Sequence, residues 1–383
     1  MGNCDRKAFV DDTAVSRKMS PTGDSTADSQ DVDPIEELDN LVNRPFSFKK
    51  EISAVDHIYV TVRNLIPKAL LSTEISKFTS LYRIKKNIKC ENNIIYQVNV
   101  LEQKSNGNFF LAKMITREKI RKFGESMFTI LLNNEIRALN QLDNPNVETL
   151  YKVYLLPYKN NFKLILITNY VSPTSLHEII NEHIQQQKRF TDKEIGILAK
   201  NLIATLYYLK SQNIIHRNLS PENIFFKKKG DFTSLSIRNF YFCSILGRIQ
   251  TATGIFGGLW FMAPEMLRDI KYDYKLDIWS VGLILYIMIT LENPFSDCET
   301  RDMMLDKLKH KQVFKNKEEL QKFGINPEIF TFCIKMLSEN PALRTTSELL
   351  LEDDFIKYIT NEEKKDENQN NQMEIIEEDE SDE

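Results

Sequence analysis

The stretch Ile214 Ile215 His216 Arg217 Asn218 Leu219 Ser220 Pro221 Glu222 Asn223 decides how the chain is read. It follows an apolar stripe at helical spacing, Ile195, Leu198, Leu202, Leu206 and Leu209, which opens with Thr191 and Glu194 placed as a capping box. The ten residues therefore form a polar loop at the end of a long helix. Two of its positions, Asn218 and Asn223, carry carboxamides, which bear no charge and have almost no basicity.

Upstream of that helix, Ile84 to Ile88, Ile94 to Leu101 and Phe109 to Ile115 alternate or run apolar and predict strands, with Ser105 Asn106 Gly107 Asn108 as the turn before the third. Phe128, Leu131, Leu132, Ile136 and Leu139 then recur at helical spacing on a segment that carries Glu135. After the helix stop at Asp143 to Val147, a hairpin of Thr149 to Leu155 and Phe162 to Thr168 is predicted. Downstream, Trp279 to Ile289 is apolar on all sides, as a buried helix must be. Further helices are predicted at Arg301 to Lys309, Pro327 to Leu337 and Thr345 to Leu351.

In this order of elements, His216, Arg217, Leu219 and Asn223 resemble the catalytic loop of protein kinases, and the resemblance extends over residues 82–358. It implies an α+β fold in two lobes, a small β-rich N-lobe with one main helix and a larger helical C-lobe. It also implies Lys113 as the phosphate-holding lysine, Glu135 as its pair, and Asn169 Tyr170 Val171 as the hinge. Ala263 Pro264 Glu265 matches the end of the activation segment, Asp277 with Trp279 and Gly282 matches the central helix, and Arg344 is expected to pair with Glu265. The Ser220 to Asn223 run and the leader resemble the calcium/calmodulin-dependent branch of the serine/threonine kinases.

The chain departs from the family where charge is needed. Phosphoryl transfer requires metal ions held by acids and a base that aligns the attacking hydroxyl. Asn218 stands where the family has its catalytic aspartate, and Asn239, in Asn239 Phe240 Tyr241, stands where it has its metal-binding aspartate. Lys89 to Tyr96, where a glycine-rich phosphate loop is expected, contains no glycine. Leu111 replaces a small residue over the base, and Ser220 a lysine near the transferred phosphate. The resemblance with these departures implies a pseudokinase, a scaffold or allosteric binding protein in signalling. Two alternatives stand beside it: an active kinase with atypical metal use, in which Glu222 or Asp231 replaces a missing acid, and a nucleotide-gated switch.

Neither ATP nor magnesium is required on this reading. A nucleotide, if bound, lies against Lys113, Glu135, Leu111 and Thr168; otherwise Lys113 and Glu135 form a structural ion pair and Asn223 bonds its own loop. Arg217 is positioned either to receive a phosphate on Thr251 or Thr253 or to serve in packing. No metal set is readable: His177 and His183 fall about 120° apart on a helix and are expected at the surface, and no calcium-loop pattern occurs. The expected partners are proteins, an active kinase or its substrate among them, and not nucleic acid.

Residues 1–40 hold ten acids against four bases, and residues 361–383 eleven against two, so the intervening body is basic although the net charge is −4. Residues 1–45 are expected to be a disordered leader, 46–81 an extension, and 359–383 a disordered acidic tail. Five scattered cysteines without C-x-x-C spacing argue for reduced thiols and a cytoplasmic location. Met1 Gly2 Asn3 Cys4 reads as a lipidation start, myristoyl on Gly2 and palmitoyl on Cys4, which places the chain at the inner face of a membrane.

Overall fold

The computed structural model describes residues 63–64, 66–88, 96–115, 124–158, 161–172, 174–309, 313–315, 318–319 and 326–363. The leader with Gly2 and Cys4, the glycine-free loop at 89–95 and the tail from 364 lie outside the described residues.

The smaller lobe is built on a six-stranded sheet of order β1-β5-β6-β4-β3-β2. These strands are β1 (Leu71–Ser72), β2 (Tyr82–Ile88), β3 (Gln97–Gln103), β4 (Phe109–Ile115), β5 (Leu150–Tyr158) and β6 (Asn161–Asn169). In β4 the period of two sends Leu111 and Ile115 to one face and Ala112 and Met114 to the other. Both faces are covered. On the inner face lies α2 (Glu125–Gln141), whose Phe128, Leu131, Leu132, Ile136 and Leu139 are all buried. On the outer face lies α1 (Ile75–Leu81), which inserts Phe78 beside Leu101, Tyr154 and Ile167.

The extension upstream of residue 82 is thus continuous with the sheet. Ile66 is buried in the inner core, Leu71 and Ser72 pair in parallel with Val153 and Tyr154 of β5, and Phe78 packs edge-on against the Tyr154 ring at 5.1 Å.

The larger lobe is helical: α3 (Leu176–Gln185), α4 (Asp192–Ser211), α5 (Pro264–Leu267), α6 (Lys275–Thr290), α7 (Arg301–Lys309), α8 (Pro327–Ile334) and α9 (Ser347–Leu351). Helix α4 starts on the expected box, with Glu194 N–H donating to Thr191 Oγ1 at 3.2 Å and Thr191 N–H to Glu194 Oε2 at 2.7 Å. From Leu276 to Thr290 every residue of α6 is buried, and Gly282 lets α6 approach Met336 and Leu337 closely. Residues 354–363 are helical, Ile359 is buried and Glu363 pairs with Lys200, so the body runs past the boundary expected at 358. Among the described residues no helix is long and apolar enough to cross a membrane.

Four short strands carry the loops between the lobes. β7 (Ile214–Ile215) pairs antiparallel with β10 (Ser244–Ile245), and β8 (Ile224–Phe226) with β9 (Leu235–Ile237). This places the loop at 216–223 beside the turn at 238–243.

Candidate functional site

The loop at 216–223 is held from below by one carboxylate. Asp277, near the start of α6, accepts from His216 N–H at 2.7 Å and from Arg217 N–H at 3.0 Å. Burial raises the Asp277 carboxyl to about 6, against the pull of those two amides. Those bonds fix Arg217 at φ 63, a left-handed conformation that an arginine adopts only when its surroundings over-determine it. Its guanidinium donates to Phe242 O at 2.5 Å and Cys243 O at 2.9 Å, reaches Thr253 O and Tyr272 Oη, and lies over the Phe256 ring. Arg217 thus packs against the turn at 242–243 and reaches the backbone of Thr253 in the activation segment.

His216 is buried between the two turns. One ring nitrogen, Nε2, bonds the carbonyl of Arg238 at 3.0 Å, and the other, Nδ1, accepts from Asn218 N–H at 3.3 Å. Its ring meets Phe240 edge to face at 4.7 Å. Burial holds the imidazole down to about 4 although the Arg238 carbonyl favours its charged form.

The three asparagines are linked, Asn218 through its backbone carbonyl. Asn239, left-handed at φ 66, donates from Nδ2 to Asn223 Oδ1 at 2.7 Å; Asn223 Nδ2 donates to the Asn218 carbonyl at 2.8 Å. Asn218 Oδ1 accepts from Gly258 N–H at 3.2 Å, tying the loop to the activation segment. The carboxamides of Asn239 and Asn223 are thus bonded to each other, while that of Asn218 faces the activation segment.

Next to them sits a buried ionic chain. Lys113 Nζ donates to Glu135 Oε1 at 2.6 Å and to Glu148 Oε2 at 2.8 Å, and lies over the Tyr96 ring. Tyr96 Oη donates to Glu135 Oε2. Arg238 donates from Nε and Nη2 to Glu148 Oε1 and from Nη2 to Thr168 Oγ1 at 2.9 Å, and Asn239 N–H reaches Glu148 Oε2 at 3.3 Å. Exposure is 0% for Glu135, 1% for Lys113 and Glu148 and 5% for Arg238, so two cations and two carboxylates balance one another out of water. Burial pushes the Glu148 carboxyl up, but Arg238 and then Lys113 outweigh it and hold the group at about 2. Glu135, paired with Lys113, stays above its ordinary value because of burial. Burial also holds the Tyr96 phenol well above its usual range, with the Glu135 charge adding to it.

Lys113, Glu135, Leu111 and Thr168 do gather at one place: Leu111 pairs with Thr168 across β4 and β6, and Lys113 with Leu166. Glu148 and Arg238 complete that cluster without having been read as site residues. Their one sequence signal is indirect, since Arg238 directly follows the buried strand Leu235–Ile237 and needs an acid to be buried with it. The carboxylates proposed as substitutes are engaged elsewhere: Glu222 faces His177 Nδ1 at 3.1 Å, and Asp231 caps the turn at Phe232–Ser234 through Thr233. The two histidines are partly exposed, His177 beside Glu222 and His183 stacked on Phe190 at 3.7 Å.

Deeper in the large lobe, Arg344 donates to Glu265 Oε1 at 2.7 Å and Oε2 at 3.0 Å and covers Trp279. Such a buried fork holds the end of the activation segment against α6 and specifies geometry.

The protein kinase domain family matches residues 96–356. Calcium-dependent protein kinase 5 of Plasmodium berghei (strain Anka) is 30% identical over 241 residues, 63% of this chain and 40% of that protein. Calcium-dependent protein kinase 5 of Plasmodium falciparum (isolate 3D7) is 32% identical over 196 residues, 51% of this chain and 32% of that protein. The calcium and calcium/calmodulin-dependent serine/threonine-protein kinase of Pisum sativum is 30% identical over 240 residues, 61% and 43% of the two chains. The chain thus spans less than half the length of these curated relatives.

Proposed function

The chain belongs to the protein kinase family, with serine/threonine kinases among its relatives, and from that premise we propose that it is a pseudokinase: a member that binds protein partners and transfers no phosphate. The observation that carries this reading is that uncharged carboxamides stand at both positions, Asn239 bonded to Asn223 Oδ1 and Asn218 to Gly258 N–H. A magnesium ion is a hard cation that seeks carboxylates. One unit charge about 4 Å from a divalent ion is worth on the order of several kcal/mol even at an effective dielectric of 20. Asn239 offers at most a carbonyl oxygen, and Asn218 cannot take a proton from a substrate hydroxyl.

The frame around the site is kept: Asp277 under the loop, His216 against Phe240, Arg344 on Glu265. These contacts position a surface and do no chemistry, as a scaffold or allosteric partner of an active kinase or its substrate requires.

The competing reading, an active enzyme with a relocated metal acid, draws on Glu148, the carboxylate that touches Asn239. Both oxygens of Glu148 are already held by Arg238 and Lys113, so recruiting it for a metal ion uncovers two buried cations. Full-length protein incubated with ATP and magnesium or manganese is expected to show neither a thermal shift nor phosphate incorporation into itself or a generic peptide. Transfer that is abolished by Lys113→Met defeats the proposal. A thermal shift without transfer selects the nucleotide-gated switch instead.

A further inference from the structure

We propose that Arg238 and Glu148 form an internal clamp that does the work of a bound metal–nucleotide: it fills the rear of the cleft and keeps Lys113 on Glu135 with no ligand present. The inference rests on the reading of the site as non-catalytic and says how that site is held closed.

The argument starts from where each partner is rooted. Arg238 follows β9, in the turn that begins the activation segment, and its guanidinium lies over Phe225 of β8 at 5.5 Å. From there it reaches Thr168 at the end of β6 in the small lobe. Glu148 leads into β5, and its backbone runs beside β9, with Glu148 N–H donating to Ile237 O at 2.9 Å and Ile237 N–H to Asn146 O at 2.8 Å. The pair is therefore anchored on both sides of the cleft, and its reach is set by backbone hydrogen bonds.

Charge completes the case. Lys113 presents a buried cation to the cleft, and a cation with Glu135 as its sole partner would leave room for an anionic ligand. Glu148 supplies the second negative charge, and Arg238 balances the surplus, so the cluster is neutral and hydrogen-bonded throughout. A phosphate could reach Lys113 only by displacing Glu148 and leaving its carboxylate buried beside a new anion. The same contacts that refuse a nucleotide tie α2, β4 and the activation segment together through Tyr96, Glu135, Lys113, Glu148 and Arg238.

The test reads Lys113 directly, by acylation of the full-length protein with an N-hydroxysuccinimide ester and quantification of each modified lysine by mass spectrometry. Lys229, on the surface with its side chain half exposed, is the internal reference. In the unliganded wild type Lys113 is expected to react at least about tenfold more slowly than Lys229, and ATP with magnesium should leave that ratio unchanged. Glu148→Gln and Arg238→Met are each expected to raise Lys113 acylation about tenfold, and to speed hydrogen exchange in α2. The Arg238 variant is the sharper arm, because Arg238 acts on Lys113 through Glu148.

A wild-type Lys113 as reactive as Lys229 overturns the clamp, as does unchanged protection in either variant when it still melts cooperatively. Should both variants unfold, the wild-type ratio with and without ATP and magnesium still decides: protection that appears only with nucleotide overturns the clamp. Phosphate transfer by the wild type would instead sink the non-catalytic reading, while protection lost from neither folded variant sinks the clamp alone.

Discussion

Glu148→Gln should be among the most costly substitutions in the small lobe, and its cost should depend on pH. The change keeps the shape and removes one charge from a buried set of two cations and two carboxylates, leaving two buried cations against one carboxylate. Removing one partner of a buried pair costs about 3–5 kcal/mol, most of it the uncompensated charge left behind. The carboxyl itself leads to a similar figure. Its value in the folded protein, about 2 against an ordinary 4.5, corresponds to about 3 kcal/mol. Because the folded value lies below the unfolded one, this stabilisation is fully present above pH 4.5 and disappears as pH falls from there to 2. Glu135, held above its ordinary value, works in the opposite sense, but it is present in both proteins and affects their difference less. Urea unfolding followed by the fluorescence of Trp260 and Trp279 measures the gap. We expect about 3 kcal/mol at pH 7, closing towards pH 2. A gap below about 1 kcal/mol at pH 7, or one that stays constant between pH 7 and pH 3, would refute the reasoning, since a buried counter-charge cannot be removed at so little cost.

Four further outcomes follow from particular contacts. Restoring both acids, Asn218→Asp with Asn239→Asp, is expected to yield no phosphate transfer in a radiolabel assay while Glu148 and Arg238 remain; transfer by that variant would remove the clamp as the barrier. Gly257→Ala should lower stability by about 1–3 kcal/mol, because the position lies at φ +94 and an added Cβ would stand 2.8 Å from Arg217 O and 2.9 Å from Asn218 Oδ1; a thermal melt indistinguishable from wild type counts against that geometry. Gly282→Ala should also destabilise by about 1–3 kcal/mol, although alanine is the better helix former, since its Cβ would lie 2.7 Å from Met336 Cβ; chemical denaturation decides the sign. In nuclear magnetic resonance titrations His177 should protonate above 6.5, held up chiefly by its bond to Glu222 and returning towards 6.5 in Glu222→Gln, whereas His216 should stay neutral until about pH 4.

The elements were legible wherever the physics is local. The alternation across Phe109 to Ile115 marks β4 at its observed ends, and the Thr191 and Glu194 pair marks the start of α4, because a strand face and a capping box are each set by neighbours a few residues away. Helix α3 carries the same signal in Ser175 and Glu178, a complete box that sequence reading passed over in favour of the histidines behind it. Strand β3 runs on to Gln103, past the expected Leu101, because Gln103 N–H closes onto Asn108 O at 2.7 Å across the turn. The outer covering of the sheet escaped notice for a different reason: α1 is short, and what holds it is Phe78 in a cluster assembled from four strands.

The site divides along the same line. The replacements at 218 and 239 are visible because each falls inside a short motif whose neighbours, His216, Arg217 and Phe240, fix the register. The ionic cluster beside them is not visible, because Glu148 and Arg238 lie ninety residues apart and each alone looks like an ordinary charged residue. Lys113 is already paired with Glu135; Glu148 takes a second hydrogen bond from its ammonium, and Arg238 balances the charge that Glu148 adds. Held by a second cation, that acid is not free to serve a metal ion, so aspartates returned to 218 and 239 would restore a base and a metal ligand while leaving Glu148 on Lys113 and Arg238.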